Sequence, residues 1–249
     1  MADIQGLEHF ANYFSDVSEM FVIVGGVASA LLMEDAGEEF RPTKDIDLVI
    51  VANPSTDLTT KLKKYIDEAG YKIQEKDGKE SFYRFREPKN TDYPKQVEIF
   101  SNNPGGITLL DGQHIIPVET APEVGRLSAI LLEEEYFQLI KDNRTQVGKH
   151  SIATQAAIIP LKARAYNDIK AREGLTSEAK KHRNDIMKLA LSLNQDEKHA
   201  LGTLARTHME GCLADLSKLP STDFNNVMRD YPQAKSVEEI IKILRDTFL

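Results

Sequence analysis

The 249-residue chain has little cysteine and no long apolar run. Cys212 is its only cysteine, which excludes an internal disulfide and fits a reducing compartment such as the cytoplasm. No continuous apolar segment approaches the ~20 residues that a membrane-spanning helix needs. The opening MADIQGLEHF carries acids and no basic leader. We therefore expect a cytoplasmic protein with no signal peptide and no membrane association.

Zinc-type ligand spacing is also missing from the sequence. The histidines that could accompany Cys212 are His114, His150, His199 and His208. None stands at the short, repeated spacing that structural zinc sites use. The sequence therefore predicts no structural zinc.

Positive charge is scarce overall, and the formal net charge is −8 at pH 7. This argues against a protein that coats nucleic acid. Residues 141–188 are an exception, because they hold eleven Lys or Arg against five Asp or Glu, a local net charge of +6. Such a zone can bind one polyanionic ligand, but charge alone favours an interpretation as solvated helix faces.

The first half of the chain has the patterns of a mixed sheet with helices. An apolar, β-branched run at 20–24 predicts a buried strand that stops at Gly25-Gly26. Further strands are predicted at 45–51, 71–75, 81–86 and 96–101, and near 107–110 and 114–119. Helices are predicted at 3–16, 27–34 and 55–69, the last ending at Gly70.

The second half is mainly helical in its pattern. Residues 133–141, EEEYFQLIK, are predicted as one more strand. Helices are predicted at 157–174, 177–193, 196–216 and 236–249. The whole chain is therefore expected to be α+β, with a central mixed sheet, packed helices and a mainly helical C-terminal half. We expect a domain boundary at 122/123.

Two carboxylates and two glycines suggest a phosphate and metal site. Asp45 and Asp47 share one face of the strand DIDLVIV, about 7 Å apart, and repel each other unless a cation lies between them. Magnesium uses one or two carboxylates together with substrate phosphate oxygens. Gly25 and Gly26 let the backbone approach a phosphate, and the following helix offers unpaired N–H groups. The set suits a nucleoside triphosphate with its metal ion.

A third acid, Glu98, lies within the strand QVEIFS. By alternation it shares a face with Gln96 and Phe100. A solvent-facing position explains it as well as a functional one when Glu98 is considered alone. Beside the aspartate pair and the diglycine, a role in metal binding or proton transfer is favoured.

The ordered set resembles a known family. The diglycine after an apolar strand, RPTKDIDLVI and the later acid resemble the nucleotidyltransferase fold of the DNA polymerase β superfamily. LSAILLEEEYFQLI, IIPLKARAYNDIKAREG and KKHRNDIMKL resemble the AbiEii-like nucleotidyltransferases, the toxins of type IV toxin–antitoxin and phage-abortive systems. The resemblance covers roughly residues 15–190. It implies a catalytic core at 1–122 and a helical domain at 123–249 that contributes Lys and Asp residues to the site.

The resemblance also implies individual roles. The positions implied are Gly25, Gly26, Arg41, Lys44, Lys162 and Lys181 for the nucleotide, Asp45, Asp47 and Glu98 for metal, and Lys162 and Asp185 in catalysis beside the three acids. From the residues alone, Lys181 and Asp185 could equally be a surface i,i+4 ion pair. Lys180, Arg183 and Arg172 are candidates for contacting a nucleic-acid acceptor or, as readily, solvated helix surface.

The implied activity is transfer of a nucleoside monophosphate from an NTP to an acceptor, with Mg²⁺ or Mn²⁺ as cofactor. The expected acceptor is tRNA or another RNA, and a cognate antitoxin is an expected partner. Alternatives are a small hydroxylated molecule such as an aminoglycoside, a protein hydroxyl, or a module that binds nucleotide or antitoxin without turnover. The eighteen residues 27–44 exceed the compact family spacing, and their acidic EDAGEEF is expected to form a loop at the edge of the site.

Overall fold

The structure is a computed structural model that describes residues 4–52, 56–76, 79–102, 115–118, 127–231, 233–234 and 236–249. The chain divides into two compact units, Met1–Thr154 and Gln155–Leu249. This division lies later than the boundary expected at 122/123, since two strands between 144 and 153 join the sheet of the first unit. Residues 122 and 123 and the strand expected at 107–110 lie outside the described residues.

The described part of the first unit is built from alternating helices and strands. In chain order these are α1 (Leu7–Tyr13), a 3₁₀ segment (Ser15–Met20), β1 (Phe21–Val24), α2 (Gly25–Asp35), β2 (Asp45–Ile50), α3 (Thr56–Ala69), β3 (Lys72–Lys76), β4 (Lys79–Arg86), β5 (Gln96–Ser101), β6 (Ile115–Val118), β7 (Leu127–Leu131), α4 (Glu134–Asp142), β8 (Arg144–Val147) and β9 (His150–Ala153).

One mixed sheet joins all of these strands. Its main path runs β3-β4-β5-β2-β1-β9-β8, and β7 pairs with β5 and β6 off this path. β1 is antiparallel to β2, whereas β2 is parallel to β5 and β1 is parallel to β9. The predicted α+β class with a mixed sheet and packed helices is confirmed.

The core of the first unit follows from the sequence pattern. All four residues of β1 are buried, because the strand lies between β2 and β9 in the middle of the sheet. The apolar face predicted for α3 is buried at Leu58, Leu62, Tyr65, Ile66 and Ala69. The ring of Tyr65 lies 5.5 Å from Phe10 and 5.1 Å from Phe14, which fixes α1 against α3.

The described part of the second unit is helical. Its elements are α5 (Gln155–Glu173), α6 (Ser177–Ala190), α7 (Thr203–Leu216), α8 (Ser221–Val227) and α9 (Val237–Phe248). α5 packs against α6 and α7, and α9 packs against the same two helices. Thr176 caps α6 by accepting a hydrogen bond from the Ala179 N–H at 3.2 Å. None of the helices in the described ranges is both long enough and apolar enough to cross a membrane.

Three predicted elements need correction. The strand predicted at 133–141 is wrong: this segment forms α4, because Tyr136, Phe137 and Ile140 bury one helical face. α2 includes both glycines in its first turn rather than beginning at residue 27. The helix predicted at 196–216 begins only at Thr203.

Candidate active site

The diglycine is fixed in place by the acid strand beside it. Gly25 has φ of +70°, and a Cβ built on it would lie 2.2 Å from Oδ2 of Asp47. A side chain here would therefore be strained and would also displace the carboxylate. The antiparallel pairing of β1 with β2 causes this approach, since Val24, at the end of β1, pairs with Asp47 near the start of β2.

The loop that follows α2 leaves no room for a side chain on Gly26. A Cβ on Gly26 would lie 2.3 Å from Oγ1 of Thr43 and 3.8 Å from Nη2 of Arg41. The first backbone N–H groups of any α-helix have no partner within the helix. Val24, the N-cap residue of α2, has an apolar side chain that cannot accept from them. The start of α2 thus combines backbone donors with a hydroxyl and a guanidinium close by.

The loop 36–44 places the two cations predicted for phosphate binding. Arg41 is half-buried, stacks on the Phe40 ring with its guanidinium carbon 5.5 Å from the ring centre, and donates to the Pro42 carbonyl at 3.3 Å. Lys44 is exposed. The loop begins after Asp35, so only part of the acidic EDAGEEF segment belongs to it.

The strand register places the predicted acids on one face of the sheet. Asp47 is opposite Glu98 in the parallel pair of β2 and β5, and Asp45 is opposite Gln96. Residues in register on adjacent strands share a face and lie about 5 Å apart. The sequence predicted that Glu98 could share the face of Asp45 and Asp47, and the register places it there.

Glu98 is held by a residue that sequence reasoning missed. Arg84 on β4 is directly opposite Glu98. Its Nε lies 2.6 Å from Oε1 and its Nη2 donates to Oε2 at 3.1 Å, while Gln96 Nε2 donates to Oε1 at 2.7 Å. Burial acts to lower the pKa of Arg84, but the hydrogen bond and charge of Glu98 and the charge of Asp47 hold that pKa above its ordinary value.

The donor set of this face fits a hard divalent cation. Asp45 and Asp47 are partly exposed carboxylates two residues apart on one strand face. Magnesium accepts one or two such ligands when substrate oxygens supply the others. Within the described ranges, no three His, Cys, Asp or Glu side chains form a group that could hold a metal ion by themselves. The pair of aspartates therefore fits a metal ion that shares its ligands with a substrate.

The residues predicted from the helical half separate into two groups. Lys162 of α5 and Asp185 of α6 form an ion pair at 2.7 Å, with side chains 5% and 1% exposed. Lys181 instead pairs with Glu178, one helical turn away. The alternative of a surface Lys181–Asp185 pair is therefore wrong, since Asp185 points to α5 and is buried.

His182 lies close to the buried pair. Burial and the positive charge of Lys162 lower the pKa of His182 to about 4. Its imidazole is therefore neutral at physiological pH.

The three cations proposed to contact an acceptor are in different environments. Lys180 and Arg172 are exposed. Arg183 is only 6% exposed and donates from Nε and Nη2 to Oδ1 of Asn184 at 3.3 and 3.2 Å. Arg183 is therefore not solvated helix surface, and its contact with an acceptor stays a prediction.

No protein-family model matches the sequence, and no curated protein matches it. Among solved structures, the antibiotic-resistance factor ANT(2'')-Ia is similar over 85% of this chain and 92% of its own, with 13% identity and a TM-score of 0.42. JHP933 from Helicobacter pylori is similar over 96% of this chain and 85% of its own, with 15% identity and a TM-score of 0.39.

A further Helicobacter pylori protein, described only provisionally as a nucleotidyltransferase, is similar over 96% of this chain and 88% of its own, with 13% identity and a TM-score of 0.37. At these identities and scores the three proteins share part of their shape with this chain. No substrate and no site residue is transferred from them.

Proposed function

We propose that the chain is a metal-dependent nucleotidyltransferase that moves a nucleoside monophosphate from an NTP to an acceptor hydroxyl and releases pyrophosphate. One observation carries the proposal: the carboxylate of Asp47, with Asp45 on the same face, lies against the bare backbone of Gly25 where α2 begins. Carboxylates that suit Mg²⁺ or Mn²⁺ thus adjoin helix N–H groups that suit phosphates.

The start of α2 is proposed to bind the triphosphate. Its first-turn N–H groups and its positive dipole end favour an anion. Thr43 adds a hydroxyl beside Gly26, and Arg41 adds a planar cation suited to phosphate oxygens. Lys44, which is exposed next to Asp45, is proposed to contact the phosphates as well.

Asp45 and Asp47 are proposed to hold the metal ion. A divalent cation held there would supply charge stabilisation for the phosphates and would activate the attacking hydroxyl. The backbone N–H groups at the diglycine would orient the phosphates, and Glu98 on the next strand completes the acidic face. In the reaction, the bond from the acceptor oxygen to the α-phosphorus forms, the bond to pyrophosphate breaks, and the hydroxyl proton passes to Glu98 as the proposed base.

Lys162, Lys181 and Asp185 keep the roles that the sequence resemblance implies, as part of the proposal. Lys162 is proposed to support triphosphate use, although its side chain is buried against Asp185. Lys162→Ala is then expected to weaken the use of NTP in steady-state kinetics. Unchanged kinetics for NTP would remove Lys162 from the site.

The proposed acceptor is an RNA hydroxyl, with tRNA first, and a cognate antitoxin is the proposed partner in the cytoplasm. Both come from the resemblance to AbiEii-like toxins. Exposed cations within the basic zone support an RNA acceptor: Lys141, Arg144, Lys149, Arg172 and Lys180.

A second candidate keeps the chemistry and takes a small cationic molecule with a hydroxyl. It is favoured by the pairing of much of the basic zone's charge, because Arg164, Lys170 and Lys181 each lie beside a carboxylate. The acidic residues Glu38 and Glu39 in the loop before Asp45 would attract such a cation.

Label transfer tests the proposal. The protein is incubated with Mg²⁺, each α-labelled NTP in turn and total cellular RNA, or with an aminoglycoside instead of RNA. Asp45→Asn/Asp47→Asn is the control, and we expect it to lower transfer by about 10³-fold or more, while circular dichroism shows a folded protein.

Each outcome of that assay has one meaning. Label at tRNA size that depends on the two aspartates supports the RNA acceptor. Label on the aminoglycoside or on the protein itself identifies the other acceptors. Equal transfer by the double variant contradicts the site. In a separate binding measurement, failure to bind NTP with Mg²⁺ would contradict the enzyme and leave a module that binds the antitoxin.

A further inference from the structure

Three charged side chains lie in one line across neighbouring strands. Asp47 of β2 is opposite Glu98 of β5, and Glu98 is opposite Arg84 of β4. Adjacent strands are 4.7–4.9 Å apart, so the line places a cation two strands from Asp47 on the same face. Burial lowers the pKa of Arg84, and the hydrogen bond and charge of Glu98, with smaller effects of Tyr83 and Asp47, hold that pKa above its ordinary value.

The carboxylate of Glu98 is almost fully engaged within the protein. Oε1 faces Arg84 Nε and accepts from Gln96 Nε2, and Oε2 accepts from Arg84 Nη2. Glu98 thus accepts one hydrogen bond at each oxygen, and its Oε1 also lies in ion-pair contact with Arg84 Nε. Only 8% of the residue is exposed. A metal ion would have to displace a two-point arginine contact to gain this ligand.

The charge of the group is also informative. Arginine stays protonated under all ordinary conditions, so Arg84 is a permanent cation. Together with Asp45, Asp47 and Glu98 it gives a net formal charge of −2, which equals the charge that one divalent cation neutralises. Three acids without Arg84 would carry −3. Arg84 thus offsets the charge of Glu98 within the protein and leaves the charges of Asp45 and Asp47 for a bound cation.

We propose that Arg84 is the permanent counter-ion of Glu98, so that the metal ion of the reaction is held by Asp45 and Asp47 with substrate oxygens, and Glu98 is not a metal ligand. The inference rests on the proposed nucleotidyl transfer and narrows its metal site. Arg84 is a positioning residue that fixes Glu98 beside Asp47.

Binding of Mn²⁺ alone, followed by electron paramagnetic resonance, separates the roles. The charge-matched variant Arg84→Gln/Glu98→Gln removes both the cation and the third acid. We expect its Mn²⁺ affinity to stay within about threefold of wild type, whereas Asp45→Asn or Asp47→Asn weakens it by about tenfold or more. Circular dichroism and thermal unfolding verify that each variant is folded.

A single substitution gives a second readout if the double variant fails to fold. Arg84→Gln alone removes a positive charge near the metal, so we expect Mn²⁺ to bind more tightly, on the order of tenfold at low ionic strength. Arg84→Lys keeps the charge, and the affinity should stay near that of wild type.

The outcomes distinguish this inference from the proposed function. If Arg84→Gln/Glu98→Gln loses Mn²⁺ as strongly as Asp47→Asn, Glu98 is a ligand and the inference is wrong, while the metal site stands. Weaker binding by Arg84→Gln also overturns it. If wild type and Asp47→Asn bind Mn²⁺ equally, the metal site of the proposed function fails, and the inference fails with it.

Discussion

The sheet and the helical unit each contain a buried acid that is paired with a cation. Glu98 is paired with Arg84 between β5 and β4, and their side chains are 10% and 31% exposed. Asp185 is paired with Lys162 between α6 and α5, and these are 1% and 5% exposed. The pair in the sheet thus has one partner that reaches solvent, whereas the pair between the helices has none.

This difference separates two uses of an ion pair. Near solvent, part of the charge of an ion pair stays hydrated, so breaking such a pair costs less stability. In the interior, a charge left alone keeps its full desolvation penalty. Breaking the pair between α5 and α6 is therefore expected to destabilise the helical unit strongly, whatever the role in catalysis that the sequence resemblance assigns to Lys162 and Asp185.

The largest effect is expected from Lys162→Met, which removes the cation of the buried ion pair with Asp185. We expect the free energy of unfolding to fall by about 3–5 kcal/mol, measured by urea denaturation. Arg84→Gln in the sheet should cost less, because Gln96 still donates to the remaining Glu98 carboxylate at 2.7 Å. Equal losses for the two variants would contradict the comparison between the pairs.

The same Lys162 variant also tests its implied role. If the residue acts on the triphosphate, KM for NTP rises in the fraction of protein that remains folded at low temperature. If it acts only in the fold, KM stays unchanged while stability drops. Measuring both KM for NTP and the free energy of unfolding therefore shows which interpretation of Lys162 is right.

Gly25→Ala is expected to affect the candidate active site at the sheet. The positive φ of +70° costs about 1–2 kcal/mol for a non-glycine residue, and the new Cβ would also push against the Asp47 carboxylate. We expect about 2–3 kcal/mol lower stability and at least about tenfold slower transfer. Thermal unfolding and label transfer measure the two effects.

Gly148→Ala is the matched control for that substitution. Gly148 has φ of +58°, but nothing lies within 4 Å of a Cβ built there. It should show the cost of the backbone strain alone, about 1–2 kcal/mol, with normal transfer. A similar loss of transfer in both variants would mean that the approach of Asp47 to Gly25 is not what matters.

Local pattern was sufficient for much of this fold. The helical spacing of Leu58, Leu62 and Tyr65 predicted α3, and the β-branched run 20–24 predicted β1. Period-two alternation placed Asp45 and Asp47 on one face of β2. These predictions depend only on neighbours in sequence, which the chain displays directly.

Contacts between residues far apart in sequence could not be predicted from the local sequence pattern. Arg84 could be recognised as one residue of the alternating strand SFYRFR, but its position opposite Glu98 depends on register between β4 and β5, which tertiary packing sets. Asp185 was assigned to the face of Lys181, and only the packing of α6 on α5 directs it to Lys162. The strand prediction at 133–141 was wrong because a short segment with adjacent apolar residues fits both the period of a strand and that of a helix.

His182 provides a smaller, pH-dependent test of the helical pair. Its pKa is about 4 in the folded protein against 6.5 in the unfolded chain, owing to burial and Lys162, with smaller effects of Glu178, Lys181 and Asp185. Between these pH values the unfolded state binds more protons, so stability falls as the pH drops from 6.5 toward 4. We expect His182→Gln to remove about 1–2 kcal/mol of that fall.

The measurement for His182 is urea denaturation of both proteins at pH 7.5 and pH 4.5. Carboxylates also titrate in this range, so only the difference between wild type and His182→Gln is informative. Parallel pH profiles for the two proteins would mean that His182 is accessible to protons in the folded state, and that the surroundings of Lys162 are less closed than the comparison requires.

The smallest effect is expected from Lys170→Met. Like Lys162→Met it replaces a paired lysine of α5, but this lysine is more exposed to solvent. Lys170 pairs with Asp215, and their side chains are 41% and 21% exposed. Asp215 also keeps the hydroxyl of Tyr166, which donates to it at 3.0 Å. We therefore expect a loss of less than about 1 kcal/mol in urea denaturation. A loss as large as that of Lys162→Met would show that burial does not determine the strength of these ion pairs, and the contrast between sheet and helices would then need another cause.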